Sequence, residues 1–348
     1  DPEKISRAAA FLLEGKLVAF PTETVYGLGA NALNPEAVER IFIAKGRPFQ
    51  DPLIVHIASL EMLAEVAREI PAAARILAEH FWPAPLTLIL PRQPGIPERV
   101  SAGLDTVAVR MPAHPIALAL IRQAGVPVAA PSANRFGHTS PTSAGHVLAD
   151  LKGRIDLVID GGSPPVGVES TVLDMTQSPP IILRPGAVTQ EELAAVVGTV
   201  TLHSKQRGRD QGEALPSPGM LSRHYAPRAA LILFENENAA IACRQMAGRA
   251  KSLLEKGKRV GVLAADEDNK FFGELSVQVE HLGASQDLEQ IAHRLYSAIH
   301  SLDELGVDFI LARSYGTGGL AMAILDRLRR AAGEIVISND PDTTTNGA

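Results

Sequence analysis

Leu17-Val-Ala-Phe-Pro-Thr-Glu-Thr-Val-Tyr-Gly27 is the stretch that decides the fold. Its first four residues are apolar and predict a short strand, which Pro21 ends. Three hydroxyls and a carboxylate follow within residues 22–26. Loops at the ends of strands are where open α/β sheets bind ligands. The stretch therefore predicts an α/β sheet that leads into a candidate binding loop, although such hydroxyls are also typical of an ordinary turn.

Helices and short strands alternate outward from this stretch. Residues 3–14 predict a helix that Gly15 closes, and Asn34-Pro35-Glu36 marks the start of another that reaches about Lys45. Apolar runs predict further strands at 53–57, 86–90, 107–110, 128–130, 157–160, 171–174 and 181–183. Some connections are too short for helical crossovers, so we expect a twisted mixed sheet.

The domain organisation follows from a break in this pattern. A helix near 189–197 ends the first domain, and a polar stretch without periodicity begins at His203. A second α/β pattern starts near residue 230 and predicts a small parallel, Rossmann-like sheet. We predict a first domain over 1–202, a linker or lid over 203–228, a C-terminal Rossmann-like α/β domain over 229–340 and a tail over 341–348.

Composition limits the class of protein. The 348 residues are 46% hydrophobic, so two domains can each bury a core. The one cysteine, Cys243, excludes a disulfide framework, a zinc finger and an iron–sulfur site. No apolar run has the length of a membrane span, and the first twenty residues do not resemble a signal peptide. We therefore expect a cytoplasmic protein without a membrane anchor.

Charge argues against tight nucleic-acid binding. The chain has 33 basic and 39 acidic residues, a net charge of −6. Residues 1–227 contain 20 basic and 22 acidic side chains, and residues 228–348 contain 13 basic and 17 acidic ones. Neither part has the basic excess of a nucleic-acid footprint.

Familiar nucleotide motifs are absent or out of place. The chain has no Walker A pattern. Gly27-Leu-Gly-Ala-Asn-Ala32 matches G-x-G-x-x-A, but Pro21–Tyr26 separate it from the preceding strand, whereas a dinucleotide fingerprint lies in the turn directly after one. We therefore do not expect a dinucleotide site.

Lys45-Gly-Arg47-Pro is a sharper signal. The C-terminal end of a helix favours cations whether or not a ligand binds there. The glycine and proline, however, keep Arg47 out of regular structure, where its planar fork can reach an anion. A lysine point charge beside an arginine fork suits a phosphate or carboxylate, and we expect both side chains at the site and outside the core.

Four other strand ends carry polar groups. Ser132 and Asn134 follow the strand at 128–130, Arg110 ends the strand at 107–110, and Arg184 follows the last one. Ser170 and Thr171 begin another strand. Each has an ordinary explanation, such as a helix cap. Together they predict a concave site for a small anionic substrate, a phosphate ester, with no metal-ligand cluster and no covalent nucleophile.

Two further segments stand out. The stretch 217–227 contains His224 and Tyr225 and two prolines, too rigid and aromatic for a flexible linker, and we expect it to fold over the first domain's crevice. Tyr315-Gly-Thr-Gly-Gly-Leu320 precedes a helix and fits either a phosphate cradle or, as we favour, a tight strand–helix turn.

These motifs resemble the threonylcarbamoyl-adenylate synthase family, which has a YrdC-like domain, in its long two-domain form. The resemblance covers nearly the whole chain. It is carried by the stretches at 21–28, 44–48, 52–53, 131–134, 169–174 and 183–186 and by the Ser-Pro-Gly-Met…His-Tyr-Ala-Pro linker. We see no departure at these motifs.

The resemblance implies an enzyme, a nucleotidyltransferase. It would convert L-threonine, bicarbonate or CO2, and ATP into threonylcarbamoyl-AMP, pyrophosphate and water, with Mg²⁺ accompanying ATP. The product would pass to a separate transferase that makes N6-threonylcarbamoyladenosine in tRNA. No protein ligand for Mg²⁺ and no general base can be named from the sequence, and a monomer is the default.

The resemblance also implies roles for individual residues. Lys45 and Arg47 would hold the α-phosphate and the carbamate. The other nucleotide-binding residues would be Ser132, Asn134, Arg184, His224 and Tyr225. The threonine-binding residues would be Thr22, Tyr26, Arg110, Ser170 and Thr171.

Two alternatives are open. A carbamoyl transferase of the hydrogenase-maturation type also contains a YrdC-like domain, but the single cysteine argues against its zinc fingers. A non-catalytic RNA-binding or ribosome-associated module would need a clustered basic face, which the charge balance disfavours.

Overall fold

A computed structural model describes residues 1–203, 214–217 and 224–337. The chain divides into two compact units. The first comprises residues 1–136 and 140–222, and the second comprises residues 137–139 and 223–348. The predicted boundaries at 202 and 229 stay predictions, and so does the tail at 341–348, which lies outside the described residues.

The first unit is built on one sheet of ten strands. In chain order they are β1 (Val18–Pro21), β2 (Tyr26–Asn31), β3 (Ile54–His56), β4 (Leu86–Pro91), β5 (Thr106–Arg110), β6 (Val128–Ala129), β7 (Leu157–Val158), β8 (Thr171–Asp174), β9 (Ile181–Arg184) and β10 (Thr201–Leu202). Their order is β10-β9-β8-β4-β5-β3-β6-β2-β1-β7. The sheet contains both parallel pairs such as β3/β5 and antiparallel pairs such as β4/β5. The predicted mixed sheet is confirmed.

Helices cover this sheet, and their ends follow local sequence rules. They are α1 (Pro2–Leu13), α2 (Pro35–Lys45), α3 (Leu63–Val66), α4 (Ala72–Phe81), α5 (Pro115–Ala124), α6 (Ala144–Leu151) and α7 (Gln190–Val197). The side chain of Asn34 accepts hydrogen bonds from the first turn of α2. Thr189 and Glu192 form a reciprocal capping box on α7. Caps of this kind satisfy amides that have no partner within the helix.

One strand differs from the sequence-based expectation. The sequence predicts a loop over residues 22–26 and no strand between this loop and the helix that follows Asn34. In the structure, Tyr26–Asn31 form β2, which pairs antiparallel with β1. Two glycines make this segment a poor strand by propensity. Tertiary packing decides the outcome, because a Cβ on Gly29 would lie 2.7 Å from the ring of Phe20. A glycine there lets the two strands pair around that ring.

The second unit is a sheet of five parallel strands. They are β11 (Ala230–Glu235), β12 (Val260–Ala265), β13 (Gln278–Gly283), β14 (Phe309–Arg313) and β15 (Glu334–Ile337), in the order β13-β12-β14-β11-β15. The helices between them are α8 (Ala239–Glu255), α9 (Leu288–Glu304) and α10 (Gly319–Ala331). Within the described ranges, no helix has both the length and the hydropathy needed to cross a bilayer.

Candidate active site

Lys45 ends helix α2, where Gly46 takes a left-handed conformation and turns the chain away. The side chain is buried, and its Nζ donates to the carbonyl oxygens of Ser132 and Asn134, both at 2.5 Å. Burial, and then the charge of Arg47, hold the pKa of Lys45 well below its usual value. The amine is therefore desolvated, and a phosphate anion bound beside it would stabilise its protonated form.

Arg47 forms an ion pair inside the protein. Its Nη2 lies 3.0 Å from Oδ2 of Asp51, and its Nε and Nη2 donate to the carbonyls of Asp51 and Pro52. Both side chains are almost fully buried. The sequence placed Lys45 and Arg47 outside the core, and this expectation is wrong, because both side chains are buried, Lys45 against the Ser132 loop and Arg47 against Asp51.

The loop after β6 brings Ser132 and Asn134 to Lys45. Ser132 Oγ donates to Oδ1 of Asn134 at 2.5 Å, and Ser132 pairs with Gly27 in an isolated antiparallel bridge. The amide of Leu28 also donates to the carbonyl of Pro131. The predicted binding loop and the Ser132 loop thus lie side by side, as the strand order requires.

Arg110 lies at the end of β5 beside the loop that follows β1. Its Nη2 donates to Oε1 of Glu23 at 2.8 Å and its Nη1 donates to Oγ1 of Thr24 at 3.1 Å. The second oxygen of Glu23 accepts from the amide of Ala113. The Nε of Arg110 is buried and has no hydrogen-bond partner among the described residues. A buried guanidinium with one free donor is suited to a carboxylate ligand.

Three predicted threonine-binding hydroxyls donate to the backbone. Thr22 Oγ1 donates to the carbonyl of Val25, Tyr26 Oη to that of Gly162, and Thr171 Oγ1 to that of Val188. Each hydroxyl has one hydrogen, so in this arrangement each can only accept from a ligand.

Arg184 is a further buried cation, and it is hydrogen-bonded to Ser170. Arg184 donates from Nε to the carbonyl of Ser170 and from Nη2 to its Oγ, both at 3.1 Å. A Cβ on Gly186 would lie 2.2 Å from the amide of Thr171, so only glycine allows the two segments to approach this closely. Burial lowers the pKa of Arg110, the carboxylate of Glu23 opposes this shift, and the charge of Arg184 lowers the pKa further.

His56 is a residue that the sequence analysis missed. It ends β3 in register with Arg110 on β5, and it is 3% exposed. Burial, and then the charge of Arg110, hold the pKa of His56 well below its usual value, so its ring is neutral at pH 7. The available signal was a polar residue at the end of an apolar run, beside a strand that ends in arginine. Glu23 and Thr24 were noted only as part of their loop.

Acid should destabilise the protein through His56. Its pKa is lower in the folded than in the unfolded state, so the unfolded chain takes up the proton first as pH falls below about 6.5. The free energy of unfolding should drop by up to about 1.4 kcal/mol per pH unit until the folded pKa is reached. Urea titrations between pH 7.5 and 5, followed by fluorescence of the single tryptophan, Trp82, measure this.

The variant His56→Gln should lose less stability over the same pH interval. His80→Gln, which removes an exposed histidine from the same unit, is the matched control and should keep the wild-type pH dependence. Equal slopes for His56→Gln and the wild type would contradict the assignment.

The buried charged side chains described in the first unit include more cations than carboxylates. Among its described residues, four buried cations face three buried carboxylates: Lys45, Arg47, Arg110 and Arg184 against Glu23, Asp51 and Glu169. Buried charges are costly unless they are paired. The geometry therefore provides preorganised positive charge at which two anions can meet.

His224 and Tyr225 belong to the second unit. Their rings meet edge to face with centroids 4.1 Å apart, and Tyr225 also packs on Tyr296 and under the guanidinium of Arg327. Residues 218–223, which precede them, lie outside the described residues, as do 204–213. The lid role is a prediction that these contacts do not test.

Family models match both parts of the chain. The Sua5/YciO/YrdC model, described as telomere recombination, matches residues 10–186. The model described as threonylcarbamoyl-AMP synthase, C-terminal domain, matches residues 188–333. The two matches together cover more than half of the chain and confirm the resemblance inferred from the motifs.

Relatives extend over nearly the full length. The threonylcarbamoyl-AMP synthase of Pyrococcus abyssi is 49% identical over 337 residues, covering 96% of this chain and 95% of that protein. The Bacillus subtilis enzyme of the same name is 48% identical, covering 97% and 95%. A crystal structure of P. abyssi Sua5 complexed with L-threonine has 47% identity and a TM-score of 0.90, covering 97% of both chains. The chain belongs to the threonylcarbamoyl-AMP synthase family, in its two-domain form.

Proposed function

We propose that this chain forms threonylcarbamoyl-AMP from L-threonine, bicarbonate or CO2, and ATP, with release of pyrophosphate, and of water when bicarbonate is the species used. Family membership supports the reaction type. The observation that carries the proposal is the surplus of buried cations around Lys45 and Arg110. The RNA-binding alternative is not favoured, since it needs no such buried cations and would instead need a basic surface.

The chemistry explains why positive charge is needed. The threonine amine attacks CO2 or bicarbonate and gives a carbamate. A carbamate oxygen then attacks the α-phosphorus of ATP, and the bond to pyrophosphate breaks. Nucleophile and electrophile both carry negative charge, so their approach requires fixed cations and exclusion of water.

The residues divide into two groups in this proposal. Lys45 and Arg47 stabilise the α-phosphate and the carbamate, and Ser132 and Asn134 orient the nucleotide beside Lys45. Arg184 adds charge for the nucleotide. The threonine side consists of Arg110 for the carboxylate, with Thr22, Tyr26, Ser170 and Thr171 as acceptors or packing groups. His224 and Tyr225 would close over the nucleotide.

Mg²⁺ is expected to accompany ATP in this reaction. Among the described residues, no group of three or more His, Cys, Asp or Glu side chains is arranged to hold a metal ion. Mg²⁺ ordinarily binds substrate phosphates and water with few protein ligands. When bound, the ion would neutralise the departing pyrophosphate.

Arg110 provides a test of the threonine side. Replacing it by glutamine should raise the KM for L-threonine by roughly 30-fold, because a charge-assisted hydrogen bond to the carboxylate is lost. Arg110→Lys keeps the charge but not the fork, and it should give an intermediate value. The KM for ATP should change far less. Equal increases in both KM values would place Arg110 outside the threonine site.

The proposal predicts a particular dependence of pyrophosphate release. Release from ATP should require both L-threonine and bicarbonate, and L-serine should replace L-threonine poorly. Release without threonine would mean that the chain activates a different acceptor. No release with Mg²⁺ at several pH values, together with salt-sensitive RNA binding, would favour the non-catalytic alternative.

Partners and location follow as further expectations. A separate transferase would take the product and modify tRNA, so the chain itself need not bind tRNA tightly. The cytoplasmic location expected from the sequence stays a prediction.

A further inference from the structure

Glu23 is a buried carboxylate that has no part in the proposed reaction. It lies in the loop between β1 and β2 and is 4% exposed. Its Oε1 accepts from Nη2 of Arg110 at 2.8 Å, and its Oε2 accepts from the backbone amide of Ala113 at 3.0 Å. Each oxygen therefore binds a separate donor, one on the side chain that ends β5 and one on the backbone that follows it.

Thr24 holds a second point of the same guanidinium. Its Oγ1 accepts from Nη1 of Arg110 at 3.1 Å. The single hydrogen of Thr22 Oγ1 goes to the carbonyl of Val25, so the 2.8 Å contact between the two threonine hydroxyls has Thr24 as its donor. Hydrogen bonds thus run in one direction, from Arg110 through Thr24 and Thr22 to the backbone.

The loop itself is held in place through its backbone. The amides of Thr24 and Val25 donate to Oγ1 of Thr22. The carbonyl of Glu23 accepts from the amide of Val166 at 2.9 Å. Two anchored contacts fix the plane of a guanidinium, because this group is rigid and flat. The loop therefore orients the guanidinium of the arginine that ends β5, including its Nε–H, which has no partner among the described residues.

The charge of Glu23 opposes the binding of a carboxylate. Glu23 is negative and forms a buried ion pair with Arg110, so it reduces the positive potential near that guanidinium. If charge alone mattered, the site would bind an anion better without Glu23. Any favourable contribution of Glu23 to binding must therefore come from orientation, since an arginine fork binds a carboxylate strongly only when its donors point at the ligand.

We infer that Glu23 is a positioning residue, which orients the guanidinium of Arg110 so that the site selects a substrate with a carboxylate. The inference rests on the proposed function, in which Arg110 binds the carboxylate of L-threonine. Glutamine could not replace Glu23, because it has one oxygen and would present its NH2 group to one of the two donors. Aspartate has both oxygens but is one methylene shorter, so we expect it to reach only one of the donors.

The first test compares L-threonine with L-threoninamide, which lacks the carboxylate, as substrates for pyrophosphate release by the full chain. Glu23→Asp keeps the charge and should lower kcat/KM for L-threonine about fivefold, while kcat/KM for L-threoninamide changes less than about twofold. Glu23→Gln should lower the value for L-threonine about tenfold with the same selectivity. Glu39→Gln removes a partly exposed carboxylate, paired with Arg99 in the same unit, and should leave both values unchanged.

The sign of the change separates orientation from charge. Glu23→Gln makes the site more positive by one charge, so an effect of charge alone would lower the KM for L-threonine, whereas loss of orientation raises it. Glu23→Asp retains the ion pair, so it gives the result even where Glu23→Gln does not fold. An unchanged or lower KM for L-threonine in these variants, or equal losses with L-threonine and L-threoninamide, would overturn the inference.

A double variant tests whether Glu23 acts through Arg110. In the Arg110→Gln background, Glu23→Gln should raise the KM for L-threonine by less than about twofold beyond the single change, because no guanidinium remains to be oriented. It also removes the buried charge that Arg110→Gln leaves unpaired, so the double variant should be more stable than Arg110→Gln. A further increase of about tenfold would show that Glu23 does not act through Arg110 and would overturn the inference.

Direct binding separates this inference from the proposed reaction. Equilibrium dialysis of labelled L-threonine without ATP should give a Kd that is about fivefold higher in Glu23→Asp than in the wild type. A wild-type chain that binds L-threonine but releases no pyrophosphate would contradict the proposed reaction, and the Kd values of the variants would then decide the role of Glu23. A wild-type Kd in both variants would overturn that role while the reaction stands.

Discussion

Replacing Lys45 by methionine is expected to lower kcat/KM for threonine-dependent pyrophosphate release by about a thousandfold. The Lys45 side chain is buried, and its Nζ donates to the carbonyls of Ser132 and Asn134. Desolvation makes its charge act more strongly on a nearby phosphate than an exposed lysine would. Methionine keeps the length and packing of the side chain while removing the charge.

Stability separates this effect from a general loss of structure. Lys45→Met leaves two carbonyls without their donor, which costs about 1–3 kcal/mol for each buried polar group. It also removes the desolvation cost that depresses the pKa of Lys45, so the two effects oppose each other. We expect a folded protein with Trp82 fluorescence close to that of the wild type. Lys152→Met, at an exposed lysine of the same unit, should keep full activity. Substantial activity in Lys45→Met would remove this residue from the reaction.

Arg47→Ala is expected to have the largest effect on stability, a loss of about 3–5 kcal/mol in the free energy of unfolding. Asp51 is 0% exposed, and the substitution removes the guanidinium 3.0 Å from its carboxylate. A buried carboxylate that loses its cation must stay charged in a low-dielectric environment or take up a proton, and both cost free energy. Urea denaturation followed through Trp82, which lies in the first unit, measures this loss.

The double variant Arg47→Ala/Asp51→Asn tests the cause. It should recover a large part of the lost stability, because no unpaired charge remains, but it should not recover activity. Arg68→Ala is the matched control, since the Arg68–Asp105 pair is exposed in the same unit and should contribute less than about 1 kcal/mol. If the double variant were no more stable than Arg47→Ala, the ion pair would not explain the loss.

Both expectations depend on burial that the sequence did not reveal. Lys45-Gly-Arg47-Pro contains no sign that the chain turns inward, because the pattern of a helix end followed by a loop is the same for exposed and buried cations. Asp51 lies only four residues after Arg47, but nothing in this spacing shows that the pair is buried. The carbonyls of Ser132 and Asn134 come from a loop that only the fold brings to Lys45. The sequence thus identified the residue types of the candidate site. It did not reveal the ion pair and the hydrogen bonds that determine how much these residues contribute to stability.

The sequence alone determined the elements with strong local signals. Caps such as Asn34 and Thr189 fix helix starts, because they satisfy backbone amides within a few residues. Alternating apolar segments were enough to predict the mixed first sheet and the parallel second sheet, and the motifs were specific enough to indicate the family.

Only the tertiary structure decided the remainder. Strand β2 forms despite its glycines, because glycine at position 29 lets it pair with β1 against the ring of Phe20. His56 lies beside Arg110 because β3 and β5 pair in a particular register. Each of these depends on contacts between residues far apart in the chain. Such contacts are set by the packing of the whole unit, and no short stretch of sequence specifies them.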